Sequence, residues 1–251
     1  MARYFIELSY RGTNYHGWQI QENAQSIQGL INSSLSILLK HPISTTGAGR
    51  TDTGVHAKKF IAHFDFLNED LNKRSDLIYR LNKILPNDVR VSRITKVRSD
   101  AHARFNAISR TYEYLIVRKK DPFLLGLAWQ YTGSLDMQLL QQATEQLLNY
   151  SDYTSFSKVG SDTKTSICKV FRADWTNMGD TLIFTIEADR FLRNMVRAIV
   201  GSLIDVGRGR ITPDHFTKIV EARNRSLAST SAPAEGLYLI DIKYPEDIYL
   251  K

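Results

Sequence analysis

The chain has 251 residues, and its 33 Lys and Arg against 26 Asp and Glu give a net charge of +7 at neutral pH. Hydrophobic residues make up 43% and charged residues 24%, so we expect a packed core and exclude a disordered chain or a small disulfide-stapled scaffold. The basic balance favours a polyanionic partner such as nucleic acid, although excess charge also keeps proteins soluble.

Cysteine content and hydropathy narrow the class further. The single cysteine, Cys168, excludes an internal disulfide, and no paired Cys/His spacing provides the ligands of a structural zinc. No segment approaches the roughly 18 uninterrupted apolar residues that a membrane span requires. The predicted protein is therefore cytoplasmic, metal-free and outside the membrane.

The first half of the chain alternates between strand and helix patterns. Residues 3–10 alternate strictly, with Tyr4, Ile6 and Leu8 on one face, which predicts a strand. Ser26 is a predicted N-cap for a helix that ends before Pro42. A strand at 60–66, a helix at 77–85 and a strand at 89–97 complete this half.

The second half has a similar mixture of predicted strands and helices. The predicted elements are a strand at 111–117, a helix at 135–147 capped by Ser134, strands at 168–175 and 181–188, a helix at 191–204, a helix opened by Thr212 and Pro213, and a strand at 237–242. The turn-forming residues 177–180 separate two neighbouring strands, so we expect these strands to form a hairpin.

These elements predict an α+β protein of two modules, residues 1–106 and 107–251, with the boundary near Asn106. Each module should contain a mixed or antiparallel sheet with helices mainly on one face. The other face of the sheet would then be free for a partner.

The residues richest in chemistry form the loop 47–57, which contains three glycines, Arg50 and Asp52. A phosphate-binding P-loop would need Gly-Lys-Ser/Thr before a helix, whereas this loop has no such lysine and leads into a strand. An aspartic protease would need two copies of Asp-Thr-Gly, and only Asp52 begins one. Two interpretations remain open: a carboxylate held by an arginine in a basic cleft, or a tight turn closed by a surface ion pair.

The loop 47–57 resembles the active-site motif of the tRNA pseudouridine synthase A (TruA) family. Other stretches that resemble this family occur in the same order along the chain, at residues 10–19, 26–28, 102–105, 109–112, 153–156, 191–197 and 232–237. The resemblance therefore extends over nearly the whole chain.

The resemblance implies the pseudouridine synthase fold, with two RRM-like or ferredoxin-like modules around an RNA-binding cleft. It also implies isomerisation of uridine to pseudouridine at positions 38, 39 and 40 of the tRNA anticodon stem-loop, with no cofactor, by a homodimer. By motif position, Asp52 corresponds to the catalytic aspartate, Arg50 to its paired arginine, and Tyr112 to the active-site tyrosine that contacts the target base.

The residues are chemically suited to this reaction. The isomerisation breaks the bond from uracil N1 to the ribose and rejoins the base through C5, so it needs no second substrate. A carboxylate can attack the ribose C1′ or the uracil C6, or remove a ribose proton, and the sequence leaves these three routes open. Tyr112 is suited to stacking on an extruded base, although its alternation with Tyr114 also fits ordinary sheet packing.

Basic residues supply further candidates for RNA binding. Three arginines have helical spacing and would share the solvent-exposed face of the predicted helix 191–204: Arg190, Arg193 and Arg197. They could bind phosphate groups there, or they could simply form an ordinary solvated surface. His56 and His102 are left out of the catalytic set, because nothing in their spacing supports acid-base chemistry. The rival class is a non-catalytic RNA-binding protein or folding helper.

Overall fold

The computed structural model describes residues 1–67, 71, 74–160 and 164–250. The chain forms two compact units, one made of Met1–Ile108 with Leu239–Lys251 and the other of Ser109–Tyr238. Within the described residues, no helix is both long enough and apolar enough to cross a bilayer.

The structure contains strands and helices in both units. The strands are β1 (Ala2–Tyr10), β2 (Thr46–Gly47), β3 (His56–Phe66), β4 (Val89–Val97), β5 (Ser109–Val117), β6 (Trp129–Gln130), β7 (Val170–Met178), β8 (Thr181–Ala188) and β9 (Leu237–Lys243). The helices are α1 (Ile27–Leu39), α2 (Ser75–Ile84), α3 (Met137–Gln146), α4 (Met195–Gly207) and α5 (Pro213–Glu221). The pairings described below are mostly antiparallel with one parallel pair, so the predicted α+β class is confirmed.

In the first unit, the strands follow the order β4-β1-β3-β9, and β1 is antiparallel to both β3 and β4. The predicted strand is confirmed, and Tyr4, Ile6 and Leu8 on its apolar face are at most 1% exposed. Phe5 on the opposite face is also buried, because its ring packs against that of Tyr244. Ser26 caps α1 as predicted, since its side chain accepts a hydrogen bond from the Gly29 N–H. The short strand β2 pairs with β3 and delivers the chain to the loop that contains Asp52.

In the second unit, β5, β8 and β7 form an antiparallel sheet, and β6 is parallel to β5. The predicted hairpin is confirmed as β7 and β8. Helices α3, α4 and α5 pack against one another, and α3 also packs against β7. Thr212 caps α5 by accepting from the His215 N–H, and Pro213 is its first residue, as predicted.

The two units differ from the predicted modules in the placement of the C-terminal residues. The predicted second module was 107–251, whereas residues from Leu239 onward belong to the compact unit that contains the N-terminus. Long-range contacts explain this placement: Lys59 pairs with Asp241 at 2.7 Å, and the Lys243 carbonyl accepts from the Ile108 N–H at 2.8 Å. Hydrophobic alternation identifies 237–242 as a strand but carries no information about its partner.

Two helix starts also differ from the predictions. Helix α3 is capped by Asp136 rather than Ser134, because the Asp136 side chain accepts from the N–H groups of Gln138 and Leu139. Helix α4 begins at Met195 rather than at residue 191. Asn194 has φ +66°, a left-handed conformation that a right-handed helix does not contain.

Candidate active site

The loop between β2 and β3 holds Asp52 in a fixed turn. The Val55 N–H donates to the Asp52 carbonyl at 3.1 Å, and Gly54 has φ +78°, a conformation that glycine adopts without steric cost. Asp52 itself is partly buried, whereas its neighbour Thr51 is only 7% exposed. The Asp52 side chain is therefore accessible to a ligand, while the buried backbone beside it holds the side chain in place.

Residues at the end of β1 and in the segment that follows it hold this loop by hydrogen bonds. The Tyr10 and Thr51 hydroxyls share a buried hydrogen bond of 2.9 Å, and the backbone N–H of Trp18 donates to the Thr51 carbonyl at 3.3 Å. The Gly54 N–H donates to the Tyr15 carbonyl at 3.4 Å. Backbone and side-chain bonds therefore join residues 10–18 to both flanks of Asp52.

Two glycines allow this close approach. A Cβ atom on Gly12 would lie 2.0 Å from the Val55 carbonyl oxygen, and one on Gly17 would lie 2.2 Å from the Thr51 carbonyl oxygen. Gly17 also has φ +81°. The two backbones consequently pack together at a distance that only glycine permits.

An aromatic cluster holds the base of the loop. The Trp18 and Phe60 rings are stacked with centroids 4.2 Å apart, and the indole lies against Gly47, where a Cβ atom would be 2.5 Å from the Trp18 Nε1. Both aromatic rings are at most 2% exposed. Apolar packing thus fixes the point at which the chain leaves β2 for the loop.

Tyr15 ties the same segment to the start of β4. Its hydroxyl donates to the Asp88 carboxylate at 2.6 Å, and the Asn14 side chain donates to the other Asp88 oxygen at 3.2 Å. Burial raises the Tyr15 pKa well above its ordinary value, and the bond to Asp88 adds to this effect. Tyr15 is therefore a neutral donor at physiological pH.

No local sequence pattern assigns a role to Tyr15, Asp88 or the two close-packed glycines. Residues 10–19 stand out only through the family resemblance. Their two glycines were the available signal, but Tyr15 and Asp88 are 73 residues apart. No local pattern predicts that these two residues meet.

Arg50 lies in the same loop as Asp52, two residues away. It is exposed, and in the described part of the chain its guanidinium is not paired with the Asp52 carboxylate. The interpretation of the loop as a turn closed by an Arg50–Asp52 surface ion pair is therefore not supported. A positioning role for Arg50 would depend on an arrangement that forms with RNA bound.

Tyr112 lies on β5 in the second unit, opposite Ile186 of β8. It is partly buried, and its ring meets the Phe191 ring nearly edge-on, with centroids 5.1 Å apart and an interplanar angle of 84°. The phenol is therefore held in place by an aromatic neighbour as well as by the sheet.

The three candidate arginines are in the second unit but do not share a helical face. Arg190 and Arg193 precede α4, and only Arg197 lies on it. The Arg197 Nε donates to the Ala232 carbonyl at 2.8 Å, which holds its guanidinium in one orientation. The prediction of a common helical stripe is wrong because of the left-handed residue Asn194, while RNA contact by each arginine remains a prediction.

The two histidines left out of the catalytic set have structural hydrogen bonds. The His56 Nδ1 accepts from the Gly12 N–H at 3.0 Å, and the His102 Nδ1 accepts from the Arg104 N–H at 3.1 Å. A ring nitrogen that accepts a backbone N–H carries no proton in that arrangement. Among the described residues, no group of three or more His, Cys, Asp or Glu side chains could hold a metal ion.

Comparison with known proteins agrees with this architecture. The tRNA pseudouridine synthase family model matches residues 143–245. A tRNA pseudouridine synthase A from Parabacteroides distasonis is 49% identical over 249 residues, 99% of this chain and 98% of the relative. Proteins of the same name from Bacteroides fragilis and Colwellia psychrerythraea are 49% and 38% identical; each match covers 99% of this chain, and 99% and 96% of the relative, respectively.

The α+β fold, the matched family model and the similarity to these relatives place the chain in the pseudouridine synthase class. Identity of nearly one half over almost the full length of both proteins is more specific than a shared fold. The chain belongs to the tRNA pseudouridine synthase A family.

Proposed function

We propose that this protein converts uridine to pseudouridine at positions 38, 39 and 40 of the tRNA anticodon stem-loop, with Asp52 as the nucleophile and without a cofactor. The observation that carries the proposal is the partly buried Asp52 carboxylate, held in a turn by the bonds of Tyr10, Trp18 and Tyr15 to its flanking residues. Such a fixed anion is suited to a reaction at the sugar-base junction.

The reaction conserves all atoms. The N1–C1′ bond breaks, the uracil turns, and a C5–C1′ bond forms, while the proton on C5 is lost and N1 gains one. Asp52 can attack C1′ or C6, or remove a ribose proton, and each route needs a carboxylate within contact of the same nucleoside. Because a carboxylate is ionised at neutral pH, the residue needs no separate base to activate it.

Arg50 and Tyr112 have supporting roles in this proposal. Arg50 positions the Asp52 carboxylate and contacts the RNA backbone when tRNA is bound. Tyr112 stacks on the extruded uracil, an interaction of about 1 to 3 kcal/mol per base. Arg190, Arg193 and Arg197 bind phosphates of the same tRNA.

The protein works as a homodimer in the cytoplasm, where one tRNA contacts both subunits. The net charge of +7 would be doubled in such a dimer, which strengthens attraction to the polyanionic substrate. Sedimentation at twice the mass of one 28.7 kDa chain is the expected behaviour.

The substrate positions are tested by incubating the purified protein with unmodified tRNA transcripts and mapping pseudouridine at single-nucleotide resolution. We expect conversion at 38, 39 and 40 wherever these positions are uridine. A transcript with cytidine at all three positions is the control and should yield no product. Conversion confined to other uridines would contradict the proposed site, and no conversion with intact tRNA binding would favour the rival RNA-binding function.

The role of Tyr112 is tested by comparing two substitutions. Tyr112→Phe keeps the stacking surface, so we expect it to lower kcat/KM by less than about tenfold. Tyr112→Ala removes the ring and should lower kcat/KM by about 10- to 100-fold. Steady-state kinetics on one tRNA transcript measures both. Equal and complete loss in the two variants would instead assign the essential role to the hydroxyl.

A further inference from the structure

A second aromatic feature lies in the first unit, in the loop after β4. Phe105 is 72% exposed, and the Arg104 guanidinium lies 5.5 Å from the centroid of its ring. A single exposed apolar side chain is common on protein surfaces and carries no inference by itself. The packing beneath Phe105 sets it apart.

Phe105 is the most exposed of three rings that contact one another in sequence. The His102 ring is tilted by 34° to it with centroids 4.3 Å apart, and the His63 ring lies edge-on to His102 at 4.7 Å. Burial lowers the pKa of His63 to about 4 and also lowers that of His102. Both imidazoles are therefore uncharged at neutral pH, and Arg104 supplies the positive charge beside an otherwise neutral aromatic surface.

The backbone of this loop is fixed at several points. The His102 N–H donates to the Asn106 side chain at 2.6 Å, and the Asn106 N–H donates back to the His102 carbonyl at 3.0 Å. The Ala103 N–H donates to the His63 Nδ1 at 3.1 Å, and the Ala103 carbonyl accepts from the Tyr244 hydroxyl at 2.5 Å. Phe105 is thus presented to solvent on a preorganised loop, which lowers the entropic cost of binding through it.

We propose that Phe105, with Arg104 beside it, is a stacking platform for an unpaired base of the bound tRNA other than the target uridine. The inference rests on the proposed function, which supplies RNA as the partner. An exposed aromatic face next to a guanidinium matches the chemistry of a nucleobase and its adjacent phosphate. The net charge of +7 favours such a polyanionic partner.

Phe105 has no group that can act in the chemical step. Its loop is anchored on His63 of β3, which pairs with Thr46 of β2, six residues before Asp52. A phenyl ring provides neither a nucleophile nor an acid or a base. We therefore expect Phe105 to contribute to binding and to the register of the tRNA, not to the chemical step.

The test compares Phe105→Ala with Tyr79→Ala. Tyr79 is a matched control: it is in the same unit, is 64% exposed, and has the Lys83 ammonium 5.5 Å from its ring centroid. The equilibrium Kd is measured with a non-reactive tRNA that carries cytidine at positions 38, 39 and 40. We expect Phe105→Ala to weaken binding about 5- to 100-fold, Phe105→Trp to bind nearly as well as wild type, and Tyr79→Ala to have no effect.

Several outcomes would overturn the proposal. An unchanged Kd in Phe105→Ala would contradict it. So would a fall in the single-turnover rate, measured at saturating reactive tRNA, that is as large as the fall in affinity. A change in the sedimentation of tRNA-free Phe105→Ala would assign the ring to a protein interface instead. Because binding is measured with a non-reactive tRNA, failure of the proposed catalytic function would leave this result interpretable.

A second measurement needs no variant. Photocrosslinking of wild-type protein to tRNA that contains 5-iodouridine, followed by peptide mass spectrometry, should recover the peptide that contains Phe105. Absence of that peptide, alongside recovery of crosslinks elsewhere in the protein, would count against the platform.

Discussion

Replacing Asp52 by asparagine is expected to lower pseudouridine formation by at least about a thousandfold, because the amide is neither a nucleophile nor a base. The fold should be retained, since Asp52 is only partly buried and asparagine has the same shape. Binding of tRNA should stay within a few fold of wild type. Single-turnover product formation and a separate binding titration measure the two effects.

Asp76→Asn is a suitable control for this substitution. Asp76 is an exposed carboxylate on α2 in the same unit, where it pairs with Arg80 at 3.4 Å. Its loss changes the net charge equally but should leave the reaction rate unchanged. If Asp52→Asn formed product at the wild-type rate, the assignment of Asp52 as the nucleophile would be wrong.

Gly17→Ala should produce the second largest effect, although Gly17 contributes no side chain to the chemistry. The new Cβ atom would lie 2.2 Å from the Thr51 carbonyl oxygen and 3.1 Å from the Asp52 carbonyl carbon, so the loop that contains Asp52 has to move. A displacement of about 1 Å can cost about a hundredfold in rate. Alanine is also strained at the Gly17 φ of +81°, which should lower the free energy of unfolding by about 1 to 3 kcal/mol.

The matched control is Gly49→Ala, in the loop 47–57 itself. A Cβ atom on Gly49 meets no atom within 4 Å, so this variant should keep its rate and melting temperature. Steady-state kinetics and thermal unfolding are measured for both variants. Wild-type kinetics in Gly17→Ala would show that the segment 10–18 does not position Asp52.

The strands and caps were predictable wherever a local pattern determined them. Alternation identified β1 and its buried face, and the side chains of Ser26 and Thr212 marked helix starts that the structure confirms. A capping side chain bonds to a backbone group two or three residues away, so its signal lies within a few positions. Residue type alone was less reliable, since Ser134 looked like a cap although Asp136 is the one used.

The candidate site was only partly predictable. The loop with Asp52 was identified from its glycines, charged residues and family resemblance. The sequence predicted that Arg190, Arg193 and Arg197 share one helical face, but the structure does not have this arrangement. Periodicity assumes a continuous helix, whereas the left-handed Asn194 delays the start of α4. That Arg50 is exposed while Asp52 is partly buried was likewise not apparent from their spacing.

The amino-acid sequence by itself determined the α+β class, most strand and helix positions, and the loop that contains Asp52. Only the tertiary structure decided that Tyr15 binds Asp88, that Gly17 packs on Thr51, and that the chain from Leu239 onward belongs to the first unit. The physical reason is range: propensity, capping and periodicity act over a few residues, whereas these contacts join residues tens to hundreds of positions apart and depend on which surfaces the whole chain can bury together.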